Sequence, residues 1–523
     1  MISVAAGFGA LAMVAGSACA QTIGPSTSVE PYLVPSIPQV KTTSILTTGE
    51  AAGNSYRMVG IPDGLGAFAG GRYGETFTLL MNHELASNRG ITRAHGSIGS
   101  FVSQWTIDPD TLRVIKGQDL TPSPAAVHLW DAVSGQYTTG TTAWNRFCSS
   151  DLPSQTAFSS DRMGTDSRIL LGGEEVNEGR AWARIATGSL SGEAWQLPRL
   201  GRLAFENVVA SPSPQLKTVV MLLDDGNLNT AGVAANFPSE VYVYIGAKQE
   251  SGHPIERAGL TNGKLYGVKI ALNDGTPVGG ESNDFGLGAS SYVGEGKFTL
   301  AQIGADGNVS ALSPLEMEQA TIDAGVTRLQ RIEDGAWDPR FRFRNDFYFV
   351  TTASITGNSR LWRLHFSDVT HPEKGGTVQI LLKGDEGQRM LDNMTIDRCG
   401  RILMQEDPGN NARIAKVWLY AIKSGHFIEI AHHNPKFFDS TAPVPATFVT
   451  QDEESSGIIT ADRLLGSGWF LLDVQSHLAS SDPELVEGGQ LLALRLNPSF
   501  ECDRDSSDDY GDDGDEDHAY NKK

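Results

Sequence analysis

One supersecondary unit recurs along this chain, and the recurrence limits the possible folds more than any other feature of the sequence. An apolar run that finishes on polar, mostly acidic residues is followed, after a break, by an alternating run rich in Trp, Tyr and Leu. Six such pairs can be read. The first runs are FTLLMNHE ending at Glu84, RILLGGEE at Glu175, TVVMLLDD at Asp225, FYFVTT at Thr352, ILMQED at Asp407 and WFLLDVQ at Gln475. Their partners are FVSQWTID, AWARIA, EVYVYIG, LWRLHF, VWLYAI and LLALRL. Such a unit cannot bury both faces alone, so its repetition at intervals of tens of residues predicts radial stacking. The expected fold is all-β, a six-bladed β-propeller, with the Trp, Tyr and Leu of the second runs packed between blades. The 58 glycines and 24 prolines suit a chain of short strands and frequent turns better than a helical bundle.

A second repeat overlays the first. Acidic pairs stand upstream of four of the apolar runs, at Glu206-Asn207, Glu333-Asp334, Asp392-Asn393 and Glu453-Glu454. Glu333 to Asp392 is 59 residues and Asp392 to Glu453 is 61, about one blade each, whereas Glu206 to Glu333 is 127. The surplus falls at about 271–325 and reads as an insertion placed to form a lid or wall over a site. Within it, Ser313 followed by Glu316 predicts a capping box on a short helix. The domain plan is a signal peptide over 1–20, one propeller over 21–500 and a disordered acidic tail over 501–523, where Asp and Glu crowd among Ser and Gly. The apolar run ending Ala18-Cys19-Ala20 predicts export to a secreted or periplasmic location. No later run reaches the ~20 apolar residues of a membrane span. A monomer is expected.

The formal net charge of −21 disfavours nucleic acid and anionic lipid as partners and favours cations. In a propeller, equivalent strand ends converge near one axis, so acids repeated once per blade converge too. Gathered carboxylates raise one another's pKa and cannot all ionise unless cations neutralise them. Asp and Glu oxygens with Asn carbonyls suit calcium, magnesium, manganese or ferric iron. Glu is a poorer turn residue than Asp or Asn, so Glu206, Glu333, Glu406 and Glu453 point to ligation more than to turn chemistry. Three cysteines follow the signal, Cys148, Cys399 and Cys502, so at least one thiol stays unpaired. Cys148 is either an inert buried thiol or a thiolate on a metal; Cys399 falls at a hairpin turn and reads as structural. His83 and His95 read as packed or turn-stabilising imidazoles, and the adjacent His432 and His433 as surface residues. The fourth first run ends on Thr351-Thr352 where the others carry acids, so the pocket is expected beside those threonines.

The ordered motifs NHE at 82–84, Cys148 followed by GGEE at 172–175, GRLAFEN at 201–207, LLDDG at 222–226, RIEDGAWDP at 331–339, LDNMTIDRCGRILMQED at 391–407 and EESSGI at 453–458 resemble those of the PhoX-type calcium-dependent alkaline phosphatases. The resemblance covers about 60–475. It implies a six-bladed propeller that hydrolyses a small phosphorylated substrate, a phosphate monoester, with iron and several calcium ions. By position, Cys148 would be an iron ligand, with Glu174 or Glu175 as the acids that follow it. Glu84, Glu206, Glu333, Asp334, Asp392, Asn393, Glu406 and Glu453 would be calcium or iron ligands. Arg331 would stand near the substrate phosphate, where a guanidinium offers two parallel hydrogen bonds. A calcium-dependent lactonase or phytase-like hydrolase, and a non-catalytic calcium-binding propeller, are the alternative functions.

Overall fold

A computed structural model describes residues 21–71, 74–226, 239–273, 275 and 294–503. Antiparallel strands make up most of its regular structure, grouped four at a time along the chain. Each group starts with a largely buried strand: β1 (Pro62–Gly70), β2 (Phe147–Asp151), β3 (Phe205–Ala210), β4 (Ile332–Trp337), β5 (Leu391–Ile396) and β6 (Glu453–Thr460). The apolar runs of the sequence are the second strands and their partners the third. The acidic pairs therefore belong to a separate strand, the innermost of each group.

The innermost strands contact one another in a closed cycle, β1 on β2 and so on to β6 against β1. Small residues permit the approach. A Cβ on Gly64 of β1 would lie 2.4 Å from the backbone nitrogen of Ser150 on β2. Six hydrophobic clusters fill the spaces between neighbouring groups. Leu80 and Val102 of the first group, for instance, meet Leu170 and Trp182 of the second, while Tyr348 and Leu361 of the fourth meet Met394 and Met404 of the fifth. The alternation seen in the sequence thus feeds two interfaces per sheet. Burial of each such side chain stabilises the fold by about 1.5–3 kcal/mol.

Two arrangements lie outside what the repeat predicts. The last group takes its outer strand from the other end of the chain: Val40–Thr47 pairs antiparallel with Gly488–Leu496, and Gln21–Ile23 runs parallel beyond it. The third and fourth groups are joined through Glu295–Gln302, which pairs with Lys264–Leu272 on one side and Gly376–Leu382 on the other. That joining strand belongs to the expected insertion. The strand itself lies at the outer edge of the two sheets it joins; residues 274 and 276–293 of the insertion lie outside the described residues. The capping box forms as expected, Ser313 Oγ accepting from the Glu316 backbone at the start of the helix Pro314–Ala324, which buries Met317.

Other expectations need correction or narrowing. His433 is fully buried, not a surface residue, because its strand packs that face against Phe438; His432 is part-exposed beside Glu429. Cys399 and Cys502 form a disulfide, and Cys148 is the free thiol among the described residues. The bridge holds residues 501–503 to the fold, where Glu501 pairs with His426 and Asp503 with Lys423; residues 504–523 of the expected tail, like residues 1–20, lie outside the described set. No helix among the described residues is long and apolar enough to cross a membrane.

Candidate metal centre

One hydrogen bond repeats in all six groups and fixes their common register. The residue just after the end of each second strand donates its N–H to the carbonyl two residues ahead of an innermost-strand side chain. The pairs are Glu84 to Ile61, Glu175 to Arg146, Asp225 to Ala204, Thr352 to Arg331, Asp407 to Met390 and His477 to Asp452, at 2.8–3.0 Å. Four of these carbonyl residues, Ile61, Arg146, Arg331 and Met390, have φ between 44° and 56°. A non-glycine residue in that left-handed region costs on the order of 1 kcal/mol or more, and such strain gathers where side chains must be aimed. Strand pairing also shifts register at this point in β1 to β5, a bulge that turns side chains toward the axis.

Two rings of side chains result. Asp63, Cys148, Glu206, Glu333, Asp392 and Glu454 come from the innermost strands. Glu84, Glu175, Asp225, Thr352, Asp407 and His477 follow the second strands. Nine of these residues fall into four overlapping sets whose ligand atoms lie within 4.8 Å of one another: Asp63, Glu84 and Cys148; Cys148, Glu175 and Glu206; Glu206, Glu333 and Asp392; Asp392, Asp407 and Glu454. Cys148, Glu206 and Asp392 each belong to two sets, so the sets form a continuous arc.

Three cations balance this charge in part. Arg146 pairs with Glu84 at 2.7 Å and with Glu175; Arg331 pairs with Asp225 at 2.6 Å and Glu333 at 2.8 Å. Burial works against the charge of His477, but Glu454 and Glu487 hold its proton and raise its pKa to about 11. Burial, with neighbouring carboxylates adding to it, pushes Asp63, Glu206, Glu333 and Asp392 well above the usual carboxylate range. Glu84 rises to about 8 through burial, against the pull of Arg146, and Asp407 to about 7 through burial and Glu454. Both carboxylate oxygens of Glu206 and Oδ1 of Asp392 are buried without a hydrogen-bond partner. Leaving such atoms unpaired costs about 1–3 kcal/mol each. Oxygen donors with one sulfur, short of positive charge, are the donor set of hard divalent cations and of iron. The residues fit such ions.

Of the residues expected at the site from sequence, Glu84, Cys148, Glu175, Glu206, Glu333 and Asp392 come together in the arc, with Arg331 on its rim, its side chain 38% exposed. Glu174, Glu406 and Glu453 stand one residue off the rings. Glu174 is clamped by Arg180, and Glu406 by Arg413 and the Trp418 indole. Glu453 accepts from the Ala415 backbone, and burial lifts its pKa to about 8. Asp334 and Asn393 form a layer beneath the arc: Asp334 accepts from Asn207 at 2.6 Å, and both amide atoms of Asn393 are buried without partner. Asp63, Asp407, Glu454, Arg146 and His477 were not singled out from sequence as site residues. Asp63 was detectable as an acid ahead of the first apolar run, where Ile61-Pro62-Asp63 stands as Arg331-Ile332-Glu333 does ahead of the fourth. The sixth apolar run ends at Gln475, two residues short of the register that His477 occupies.

A cavity of about 310 Å³ opens at the arc, lined by Ile61, Glu84, Arg89, Arg146, Asp407, Glu454 and His477 among others. It lies against the first, fifth and sixth groups and not beside Thr352 as expected, because Arg331 spans the threonine side of the ring from Asp225 to Glu333. His83 is a packed imidazole, hydrogen-bonded to Ser103 and held neutral by burial, and His95 lies against Trp144. A second cavity of about 300 Å³, at the far end of the innermost strands, contains none of the four sets.

No protein-family model and no curated protein sequence matches the chain. Among solved structures it is similar to PhoX from Pseudomonas fluorescens in complex with vanadate, a transition state analogue. The two share 12% identity and a TM-score of 0.55 over 88% of this chain and 95% of that one. A protein of unknown function from Dyadobacter fermentans matches at 8% identity and a TM-score of 0.36, covering 88% and 100% of the two chains. The PQQ-bound aldose sugar dehydrogenase of Streptomyces coelicolor matches at 11% and 0.28, covering 66% and 98%. The first likeness is one of fold; the other two are too remote to carry an argument.

Proposed function

We propose that this chain is a metal-dependent phosphohydrolase acting on small phosphate monoesters, built on a six-bladed β-propeller. Six repeats of one register-fixing hydrogen bond, and the closed cycle of innermost strands, support six blades. The observation that carries the activity is the arc of four ligand sets, poor in compensating charge, in a fold similar to that of PhoX in complex with vanadate, a transition state analogue. Calcium would be held by the all-carboxylate sets around Glu206, Glu333, Asp392, Asp407 and Glu454. Ferric iron would be held where Cys148 adds sulfur to Asp63 and Glu84 or to Glu175 and Glu206. When bound, such ions supply charge to phosphate oxygens and lower the pKa of water.

The protein's own residues orient the substrate. Arg146 and Arg331 reach the arc from opposite sides of the second and third innermost strands, each fixed by two carboxylates. Their guanidiniums are partly exposed, so each can give parallel hydrogen bonds to two phosphate oxygens, as an ammonium cannot. Ile61 and Val486 give the adjoining cavity an apolar wall for the rest of the ester. The Cys399–Cys502 disulfide supports a secreted or periplasmic protein, since such bonds persist in oxidising compartments. We take the working form to be a monomer.

The test is elemental analysis of the purified protein, paired with release of p-nitrophenol from its phosphate monoester with and without chelator. Bound calcium and iron, and hydrolysis that chelation abolishes, are expected. Calcium without iron, and no hydrolysis at alkaline pH, would favour a lactonase-type or non-catalytic calcium-binding propeller.

A further inference from the structure

The arc of ligand sets is open between its two ends, Glu454 on β6 and Asp63 on β1. The gap holds a side-chain amide. Gln475 Nε2 donates toward Asp63 Oδ2 at 3.0 Å, Glu84 Oε2 at 3.0 Å, Glu454 Oε1 at 3.2 Å and Ser456 Oγ at 3.1 Å. An amide nitrogen has two hydrogens and can satisfy two of those four oxygens, three of which are carboxylate. Its own oxygen, Oε1, is buried and has no hydrogen-bond partner. This orientation wastes the acceptor and overloads the donor.

The surroundings are short of positive charge as well. Asp473, opposite Ser456 across the strand pair, is fully buried, and both its oxygens lack partners. Arg146 serves Glu84, and His477 stands 3.6 Å from Glu454, but no cation pairs with Asp63 or Asp473 among the described residues. A Cβ on Gly457 would lie 2.8 Å from the Asp63 carbonyl oxygen and 3.2 Å from Asp473 Oδ1, so only glycine leaves these oxygens their space.

We propose that Gln475 is a ligand to one further hard divalent cation, which sits among Asp63, Glu84, Glu454 and Ser456 and closes the arc into a ring. With the amide turned about its last torsion, Oε1 joins two innermost-strand carboxylates, Glu84 and a hydroxyl. That makes five oxygen donors, to which water adds in the six- to eightfold shells calcium takes. Without the cation the amide turns its N–H₂ into the same place and stands in for the missing charge. The inference rests on the reading of the arc as a cation centre and adds to it one site and one neutral ligand.

The experiment counts calcium bound by the full chain after metal removal and reloading, for the wild type, Gln475→Leu and Gln475→Glu, with thermal unfolding followed alongside. Leu keeps the bulk and removes the oxygen, so Q475L should bind one calcium fewer than wild type and leave the remaining sites unchanged. Q475E should keep the wild-type number and bind its weakest calcium roughly tenfold tighter or more, because ligand charge tunes affinity. It should also gain a larger calcium-induced rise in unfolding temperature. Equal numbers and affinities for wild type and Q475L would overturn the proposal. Should Q475L fail to fold, an unchanged affinity in Q475E would overturn it instead. A wild type that binds no calcium would overturn the cation reading of the arc itself.

Discussion

Among the residues of the two rings, Glu206 has the least support from the protein around it. It is 1% exposed, belongs to two of the four ligand sets, and neither carboxylate oxygen has a hydrogen-bond partner. Burial and then Glu333 favour its protonated form. Its charge is a cost without a cation and an asset with one, so replacing it should have opposite effects in the two states. Glu206→Gln keeps the shape and removes the charge. At mildly alkaline pH the chelated variant should be more stable than chelated wild type by about 1–3 kcal/mol, the size of a relieved buried polar group. After calcium is restored the variant should recover less stability than wild type. Thermal unfolding with chelator and with calcium measures both; equal calcium-induced shifts in the two proteins would exclude Glu206 as a ligand.

The elements explain which parts of this were legible in the sequence. Second and third strands stand out because burial on both faces makes them apolar runs, and the second strands lead into Glu84, Glu175, Asp225 and Asp407, of which the first two are expected as ligands from sequence. Innermost strands are harder to see, since β2 reads FCSSD and β1 PDGLGAFAG, with small residues where the axis is crowded. Paired acids therefore mark β3 to β6 and leave Asp63 unmarked, and the pairing alone does not choose between neighbours such as Glu333 and Asp334 or Asp392 and Asn393. That choice depends on the bulges and left-handed residues that aim one side chain inward, which composition does not reveal. Closure of the ring by Val40–Thr47 was illegible too, as the strand pairs with residues more than 440 positions away. The disulfide acts at this scale. Cys399 lies in the turn between β5 and its neighbour and Cys502 beyond the last strand, a separation of 103 residues, so the bond ties the fifth group to the end of the sixth. Loop-closure entropy assigns such a crosslink about 4–5 kcal/mol, and losses of native bridges run at about 2–5 kcal/mol. The double variant Cys399→Ser and Cys502→Ser should unfold at lower denaturant by an amount in that range and keep its bound metal, as the bridge touches none of the ligand sets. Loss of metal in the folded variant would contradict the separation of bridge from centre.

For the whole molecule, the centre and the net charge of −21 pull stability in one direction with pH. Several acids have native pKa values raised above their ordinary ones: Glu84 from 4.5 to about 8, Asp407 from 3.8 to about 7, and Asp225 from 3.8 to about 6. A raised native value means the folded state holds its protons more tightly than the unfolded chain. That stabilisation is complete below about pH 4 and is lost as pH rises through 6 to 8. His477 adds in the same sense, its contribution complete below 6.5 and fading only toward 11. Cation binding replaces those protons, so it should reverse the trend, because a ligand that binds the folded state more strongly as its donors ionise stabilises it more at higher pH. The unfolding temperature of the chelated protein should therefore fall steadily between pH 5 and pH 8.5. The calcium-loaded protein should hold nearly level, and the gap between them should widen across the same interval. A gap of constant size would mean that the acids of the arc are not what the cation neutralises. A widening gap would make the fold most dependent on its metals in the alkaline range, where the proposed hydrolysis is to be sought.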